Sequence, residues 1–357
     1  MLEQISQTLA DETERFFQRS RNVMRFLGGH RVKVGQTPCD VVFERNKMKG
    51  LRYKPFAELA EGAERHKTPV FLVPSLINRH YILDLESGKS FVEYLLMQGF
   101  DVFMLNWGTP SAEDQHQTFE DCIEMLIASA IRRICKLAGE EKVHLVGHCM
   151  GGMLTLPYAV LYPERVASLL NMTTPVDMNK AGVLKGWSTP LDVDVMVDSL
   201  GNAPWPLLQT SFQLLKPMSM LQKTAWFYEN LWDNERIDRF LALETWVNDN
   251  VSIPGEFYRT YIRRIYQDNA LYNGTLVIKG QSIDLSVIKH PILNIAAQYD
   301  HIAPVPSVVA LKELIPHSEN VVVKGGHIGA VISRKASKMV WPQITEFFTT
   351  HGKKVAA

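Results

Sequence analysis

The apolar run Val143-His144-Leu145-Val146 ends directly in Gly147-His148-Cys149-Met150-Gly151-Gly152, and no other segment constrains the fold as tightly. A strand that turns sharply at G-x-nucleophile-x-G and passes straight into a helix presents its apex residue from a strained backbone. Residues two before and two after the apex must be small, or their side chains collide across the bend. Gly147 and Gly151 meet that need, and Gly152 lets the following helix lie close to the sheet. The apex is Cys149, where Ser is the commoner nucleophile. That exchange points away from plain ester hydrolysis and towards acyl transfer from a thioester.

The rest of the chain reads as strands alternating with helices. Residues 1–30 carry Leu9, Phe16, Phe17, Val23 and Phe26 at helical spacing and predict an amphipathic helix closed by Gly28-Gly29. Val41–Phe43 and Leu51–Tyr53 flank Lys47-Met48-Lys49-Gly50 and predict a hairpin turning there. Strands are expected at Val70–Val73, Val102–Leu105, Val143–Val146, Val166–Asn171, Pro291–Ala296 and Asn320–Val323, with helices over 90–98, 118–138 and 150–161. The alternation predicts an α/β fold with a mostly parallel, doubly wound sheet. It breaks between 175 and 285, a helical, Trp- and Met-rich stretch without a clear strand before Leu276-Val277-Ile278. The expected organisation is an N-terminal helix (1–30), a core (31–174 and 286–357) and an inserted, mainly helical cap (175–285).

This is the layout of the α/β-hydrolase fold, in which nucleophile, acid and His follow in that order. The strand over 291–296 runs into Asp300, and the strand ending at Val323 runs into Gly325-Gly326-His327. Cys149, Asp300 and His327 are therefore the expected catalytic residues: His327 takes the thiol proton, and Asp300 holds the imidazole. The expected oxyanion hole uses the backbone N–H of Met150 and that of Ile77, with Leu76 the neighbouring option. His148 is assigned packing or hydrogen bonding, and His301 the shaping of the acid loop.

Lys plus Arg equals Asp plus Glu at 38 each, so no strong field selects nucleic acid or an anionic membrane. No apolar run approaches a membrane span, and residues 1–26 lack a charged-then-apolar leader. Cys39, Cys122, Cys135 and Cys149 show no metal-site or paired spacing, so no metal is expected and a reducing cytoplasm is the expected compartment.

From about residue 40 to 348 the chain resembles the catalytic subunit of polyhydroxyalkanoate synthases. The resemblance rests on Leu76-Ile77-Asn78-Arg79, Asn106-Trp107-Gly108, Gly147-x-Cys149-x-Gly151-Gly152, Thr174-Pro175-Val176-Asp177, Asp192-x-Asp194 with Asp198, Asp300-His301-Ile302 and Gly325–Gly329. The short N-terminal region is similar to the two-component types, class III or class IV. The resemblance implies polymerisation of (R)-3-hydroxyacyl-CoA, expected to be the short-chain 3-hydroxybutyryl thioester, with release of CoA through a Cys-linked acyl-enzyme. It also raises a more direct part for Asp300 in activating the 3-hydroxyl. No cofactor is implied, since coenzyme A belongs to the substrate. A second, non-catalytic subunit, a homodimer and association with the polyester granule surface are implied. Trp187, Trp205, Phe212, Trp226, Phe227 and Trp232 are candidates for excluding water. The alternative is a Cys-dependent thioesterase or esterase, because Gly-His-Cys-Met-Gly is a lipase-like elbow with its Ser replaced.

Overall fold

Eight apolar runs pair into one sheet in the computed structural model, which describes residues 2–29 and 31–355. The strands are β1 (Cys39–Arg45), β2 (Met48–Tyr53), β3 (Val70–Val73), β4 (Val102–Asn106), β5 (Val143–His148), β6 (Val166–Met172), β7 (Ile292–Ala297) and β8 (Glu319–Val323). Their order is β1-β2-β4-β3-β5-β6-β7-β8. The β1–β2 and β2–β4 pairs are antiparallel and the others parallel. Helices cover both faces, which is why the central strands are apolar throughout rather than alternating. Successive residues still point to opposite layers. Phe71, Phe103 and Leu145 enter one core cluster, while Leu72, Met104 and Val146 enter the other.

The first hairpin turns earlier than expected. Asn46 takes the left-handed conformation (φ 52°), so Met48, Lys49 and Gly50 already lie in β2. Gly50 is there to admit a ring, since a Cβ on it would come within 1.8 Å of Phe43 Cε1. Val277–Ile278 is a strand, but it pairs only with Gln281–Ser282 and stays outside the main sheet.

The segment between β6 and β7 is mainly helical. Its main helices are Val193–Leu200, Trp205–Leu214, Ser219–Asn230, Asn234–Asn248 and Gly255–Thr260, the last continuing as a π-helical turn through Gln267. Arg259 ties it together, with Nη1 2.7 Å from Asp194 Oδ1 and Nη2 2.6 Å from Asp198 Oδ1. These are two of the aspartates noted in the sequence, and their work is to hold cap helices together.

The helix Leu2–Leu27 docks on this insertion rather than on the sheet. Asn22 Nδ2 donates to Leu231 O at 2.7 Å, Gln18 donates to Asn234 at 2.6 Å, and Phe26 meets Phe227 at 5.8 Å between ring centroids. Leu9, Phe16 and Phe17, which predict its amphipathic face, remain exposed. The two ends of the expected helix, Met1 and His30, lie outside the described residues.

Three imidazoles are folded into poor solvent. Burial pushes His80 down to about 4, and His144 and His148 down to about 3. Each binds a proton in the unfolded chain below about pH 6.5 that it does not bind when folded. The unfolded state then holds more protons, so stability falls as pH falls. Each group contributes up to about 1.4 kcal/mol per pH unit. Urea midpoints are expected to drop between pH 6.5 and 4, before the bulk of the carboxylates titrate. A flat midpoint across that range would contradict this burial.

Candidate active site

β5 carries Cys149, the expected nucleophile, to its apex. Cys149 sits at φ 54° and ψ −121°, outside the regions an L-residue favours, at a cost of roughly 1–3 kcal/mol. Neighbours hold it there. Its N–H donates to Met172 O at 2.9 Å, and Thr174 Oγ1 donates to its carbonyl at 3.1 Å, both from the end of β6. The elbow glycines are closed in on every side. A Cβ on Gly147 would meet Gly152 Cα at 2.4 Å, one on Gly151 would meet Val73 O at 2.0 Å, and one on Gly152 would meet Thr174 Oγ1 at 2.0 Å.

The other two residues come from loops after β7 and β8 that are stitched to each other. Gln298 N–H donates to Val323 O at 2.8 Å, and Tyr299 N–H donates to Gly325 O at 2.9 Å. Asp300 and His327 are thereby brought together, with His327 Nδ1 2.7 Å from Asp300 Oδ2. Asp300 Oδ1 accepts the N–H groups of Ile302 at 2.8 Å and Ala303 at 2.9 Å, which fixes the carboxylate. Cys149 and His327 line one cavity, close enough for the sulfur to bear on the imidazole. Burial disfavours the charged ring, but the Cys149 sulfur and Asp300 outweigh it and hold His327 up at about 10. An imidazole held this way is suited to take a proton from a neighbouring nucleophile.

Met150 opens the helix Met150–Leu161, so its N–H has no partner within that helix. Ile77 N–H faces Ser75 Oγ at a long 3.3 Å. Ile77 lines the space around Cys149, whereas Leu76 lines a separate cleft beside Trp107. Trp107 Nε1 donates to Pro74 O at 2.9 Å and steadies the loop that carries Ile77.

Two cavities meet at Cys149, sharing Ile77, Phe212 and Ile302. One, of about 230 Å³, also reaches His327 and has a polar rim that includes Asn78, Arg79, Gln213 and Lys223. The other, of about 310 Å³, runs under the cap and is mostly apolar. Of the aromatic residues expected to exclude water, Phe212 and Trp187 line these cavities. Trp226 and Phe227 stack instead on Phe240, and Trp232 lies under Arg15.

His148 is buried, with its ring 5.9 Å from that of His327, and neither ring nitrogen has a hydrogen-bond partner among the described residues. It packs, and the hydrogen-bonding alternative is not realised. His301 is exposed, and the acid loop is shaped by Asp300 itself. No cluster of three or more His, Cys, Asp or Glu among the described residues is placed to hold a metal ion.

Sequence reasoning missed the ties between the loop after β3 and the helical insertion. Arg79 pairs with Asp249 at 2.9 Å, Asn78 bonds Asn250, and Trp246 Nε1 donates to Arg79 O at 2.8 Å. About 170 residues separate the partners, so no local pattern links them.

Residues 68–331 match the alpha/beta hydrolase fold family, and residues 2–95 match the family described as Poly-beta-hydroxybutyrate polymerase (PhaC) N-terminus. The chain is 35% identical over 347 residues to a poly(3-hydroxyalkanoate) polymerase subunit PhaC of Allochromatium vinosum, covering 96% of each chain. It is 34% identical to the protein of that name from Synechocystis, covering 97% of this chain and 93% of the relative. Against that from Haloferax mediterranei it is 33% identical and spans 65% of the relative's length. Among solved structures, a putative lipase from Sulfolobus solfataricus superposes with a TM-score of 0.57 at 16% identity, covering 90% of this chain and 99% of that one, a likeness of fold alone. Sheet order, strained elbow and these relatives agree, and the chain belongs to the PhaC family of poly(3-hydroxyalkanoate) polymerases, acyltransferase enzymes on an α/β-hydrolase fold.

Proposed function

We propose that this chain polymerises (R)-3-hydroxyacyl-CoA, with 3-hydroxybutyryl-CoA as its short-chain substrate, into polyhydroxyalkanoate with release of CoA. The observation that carries this reading is a cysteine, sharing a cavity with an Asp-held imidazole, standing where a polar-rimmed cavity and an apolar one meet.

Cys149 gives its proton to His327, and the sulfur attacks the thioester carbonyl. The N–H groups of Met150 and Ile77 stabilise the resulting oxyanion. Collapse expels coenzyme A, which leaves as the thiol with the proton held by His327. One thioester replaces another, so the step is nearly balanced. With Cys149 acylated its negative charge is gone, His327 loses its largest support and is free to accept a proton. It then takes the proton of the 3-hydroxyl of a second acyl-CoA, whose oxygen attacks the carbonyl on Cys149. The C–S bond breaks, and the Cys149 sulfur leaves beside the protonated imidazole. The lengthened chain, now a CoA thioester, can acylate Cys149 again. The apolar cavity keeps water from competing for the acyl group. No cofactor enters these steps.

The relatives are named as subunits, and this supports a second, non-catalytic subunit as partner. The exposed Leu9, Phe16 and Phe17 of the N-terminal helix offer it or the granule surface an apolar face. A homodimer in the cytoplasm at that surface completes the reading. No helix among the described residues is long and apolar enough to cross a membrane.

The test is CoA release from (R)-3-hydroxybutyryl-CoA by the wild type and by Cys149→Ala, with the acyl product collected. The expected result is polymer from the wild type and a loss of at least about 10³-fold in the variant. Free 3-hydroxy acid as the sole product, even with a second subunit supplied, would replace this reading by the thioesterase.

A further inference from the structure

The apolar cavity under the cap contains few polar side chains. Ser188 Oγ and Ser211 Oγ are spent within their own helices, on Lys185 O and Leu207 O at 2.9 Å each. Tyr258, Tyr261 and Tyr266 also line this cavity with Cys149. Tyr261 and Tyr266 are the two whose hydroxyls feel the Cys149 sulfur and interact with each other. Their rings meet edge-on, 5.2 Å between centroids at 71°.

Their pairing depends on an irregularity of the backbone. Residues five apart in an α-helix point about 140° away from each other. Tyr261–Gln267 is instead a π-helical turn, whose i→i+5 hydrogen bonds bring residue 266 over residue 261. Single π-turns of this kind are frequent at functional sites. Here the turn sets two phenols side by side in a mostly apolar wall. Both are largely buried, and burial raises both phenols well above their ordinary range, so they remain hydrogen-bond donors at any working pH.

An acyl group on Cys149 that extends into this cavity carries its 3-hydroxyl only a few bonds from the sulfur. A hydroxyl buried among apolar side chains without a partner is costly, and one that finds a partner is not. We propose that Tyr261 and Tyr266 bind the 3-hydroxyl of the acyl group held on Cys149, and so select 3-hydroxyacyl thioesters over acyl thioesters that lack it. The selection works because the two phenols would otherwise face a methylene. It rests on the acyl-enzyme reading above.

The test is single-turnover acylation of Cys149, followed by intact-protein mass, with (R)-3-hydroxybutyryl-CoA and with butyryl-CoA. The wild type is expected to acylate faster with the hydroxylated thioester. In the Tyr261→Phe/Tyr266→Phe double variant that rate should fall about tenfold, while the butyryl rate holds or rises. The rings remain, so the butyryl rate also reports an intact site, and each single variant should lose part of the preference. An unchanged rate ratio, or an equal fall with both thioesters, overturns the proposal. No acylation of wild-type Cys149 by either thioester overturns the acyl-enzyme reading itself, and the tyrosine assignment with it.

Discussion

His327→Gln is expected to lower Cys149-dependent CoA release by about 10³-fold while leaving the fold in place. Glutamine fills similar space but cannot carry a proton from sulfur to leaving group. Wild-type His327 has Asp300 2.7 Å from Nδ1, shares a cavity with Cys149, and is held up at about 10. The sharper readout is alkylation of Cys149 by iodoacetamide at neutral pH, which should slow in parallel because the thiolate loses its imidazolium partner. Asp300→Asn should act through the same ring. Its amide N–H turned to Nδ1 would leave the proton on Nε2, facing sulfur, where it blocks transfer. Stability gives a further sign. A raised imidazole contributes fully below its unfolded value of about 6.5, and that contribution is lost as pH rises through about 10. The wild type should therefore lose denaturant resistance progressively between about pH 6.5 and 10, and His327→Gln should lack that component. Turnover in His327→Gln within a few-fold of wild type would remove His327 from the proposed mechanism.

Gly151→Ala is expected to be the more destructive substitution, although it adds one methyl group. The new Cβ would stand 2.0 Å from Val73 O and 3.0 Å from Pro74 O. Both obstacles are backbone, so no rotamer change relieves them. Either the elbow or the end of β3 must move, and β3 leads into the loop that carries Ile77. A loss of about 3 kcal/mol or more is expected, with activity absent even in the folded fraction. Gly186→Ala is the control. Gly186 lies in the exposed helix Val183–Ser188 with nothing within 4 Å of its Cβ direction, and alanine there should be neutral or stabilise by up to about 1 kcal/mol. Calorimetry on the two variants separates the cases. Equal melting temperatures would mean that the elbow tolerates what its contacts forbid.

The elbow was legible because its constraint is local: a bend this tight admits glycine on both sides whatever surrounds it. The positions of Asp300 and His327 followed from the ends of two apolar runs, one a fully buried strand (Ile292–Ala297) and the other the edge strand that ends at Val323. The turn of the first hairpin misled because Gly50 looks like a turn residue and instead leaves room for the Phe43 ring across the strand pair. The cap aromatics misled for a related reason. Trp226 and Phe227 serve the packing of cap helices and the N-terminal helix, and composition cannot tell a cavity lining from a helix contact. The approach of Tyr261 to Tyr266 was hidden because their spacing means opposite faces in an ordinary helix.

The helical insertion is joined to the loop after β3, which carries the residue proposed for the oxyanion hole. Asn78 bridges Asn250, Ile77 O accepts from Val251 N–H at 3.2 Å, and Arg79 is clasped by Asp249 and Trp246. Lifting this part of the cap would pull on the residue proposed to donate to the oxyanion. With Ile77 as the proposed donor, this makes an interlock: a motion that let bulk water in would also dismantle the cradle that water would need to attack the ester. A growing chain is then protected by geometry as well as by greasiness, because the open form is a poor hydrolase for the same reason that it is open.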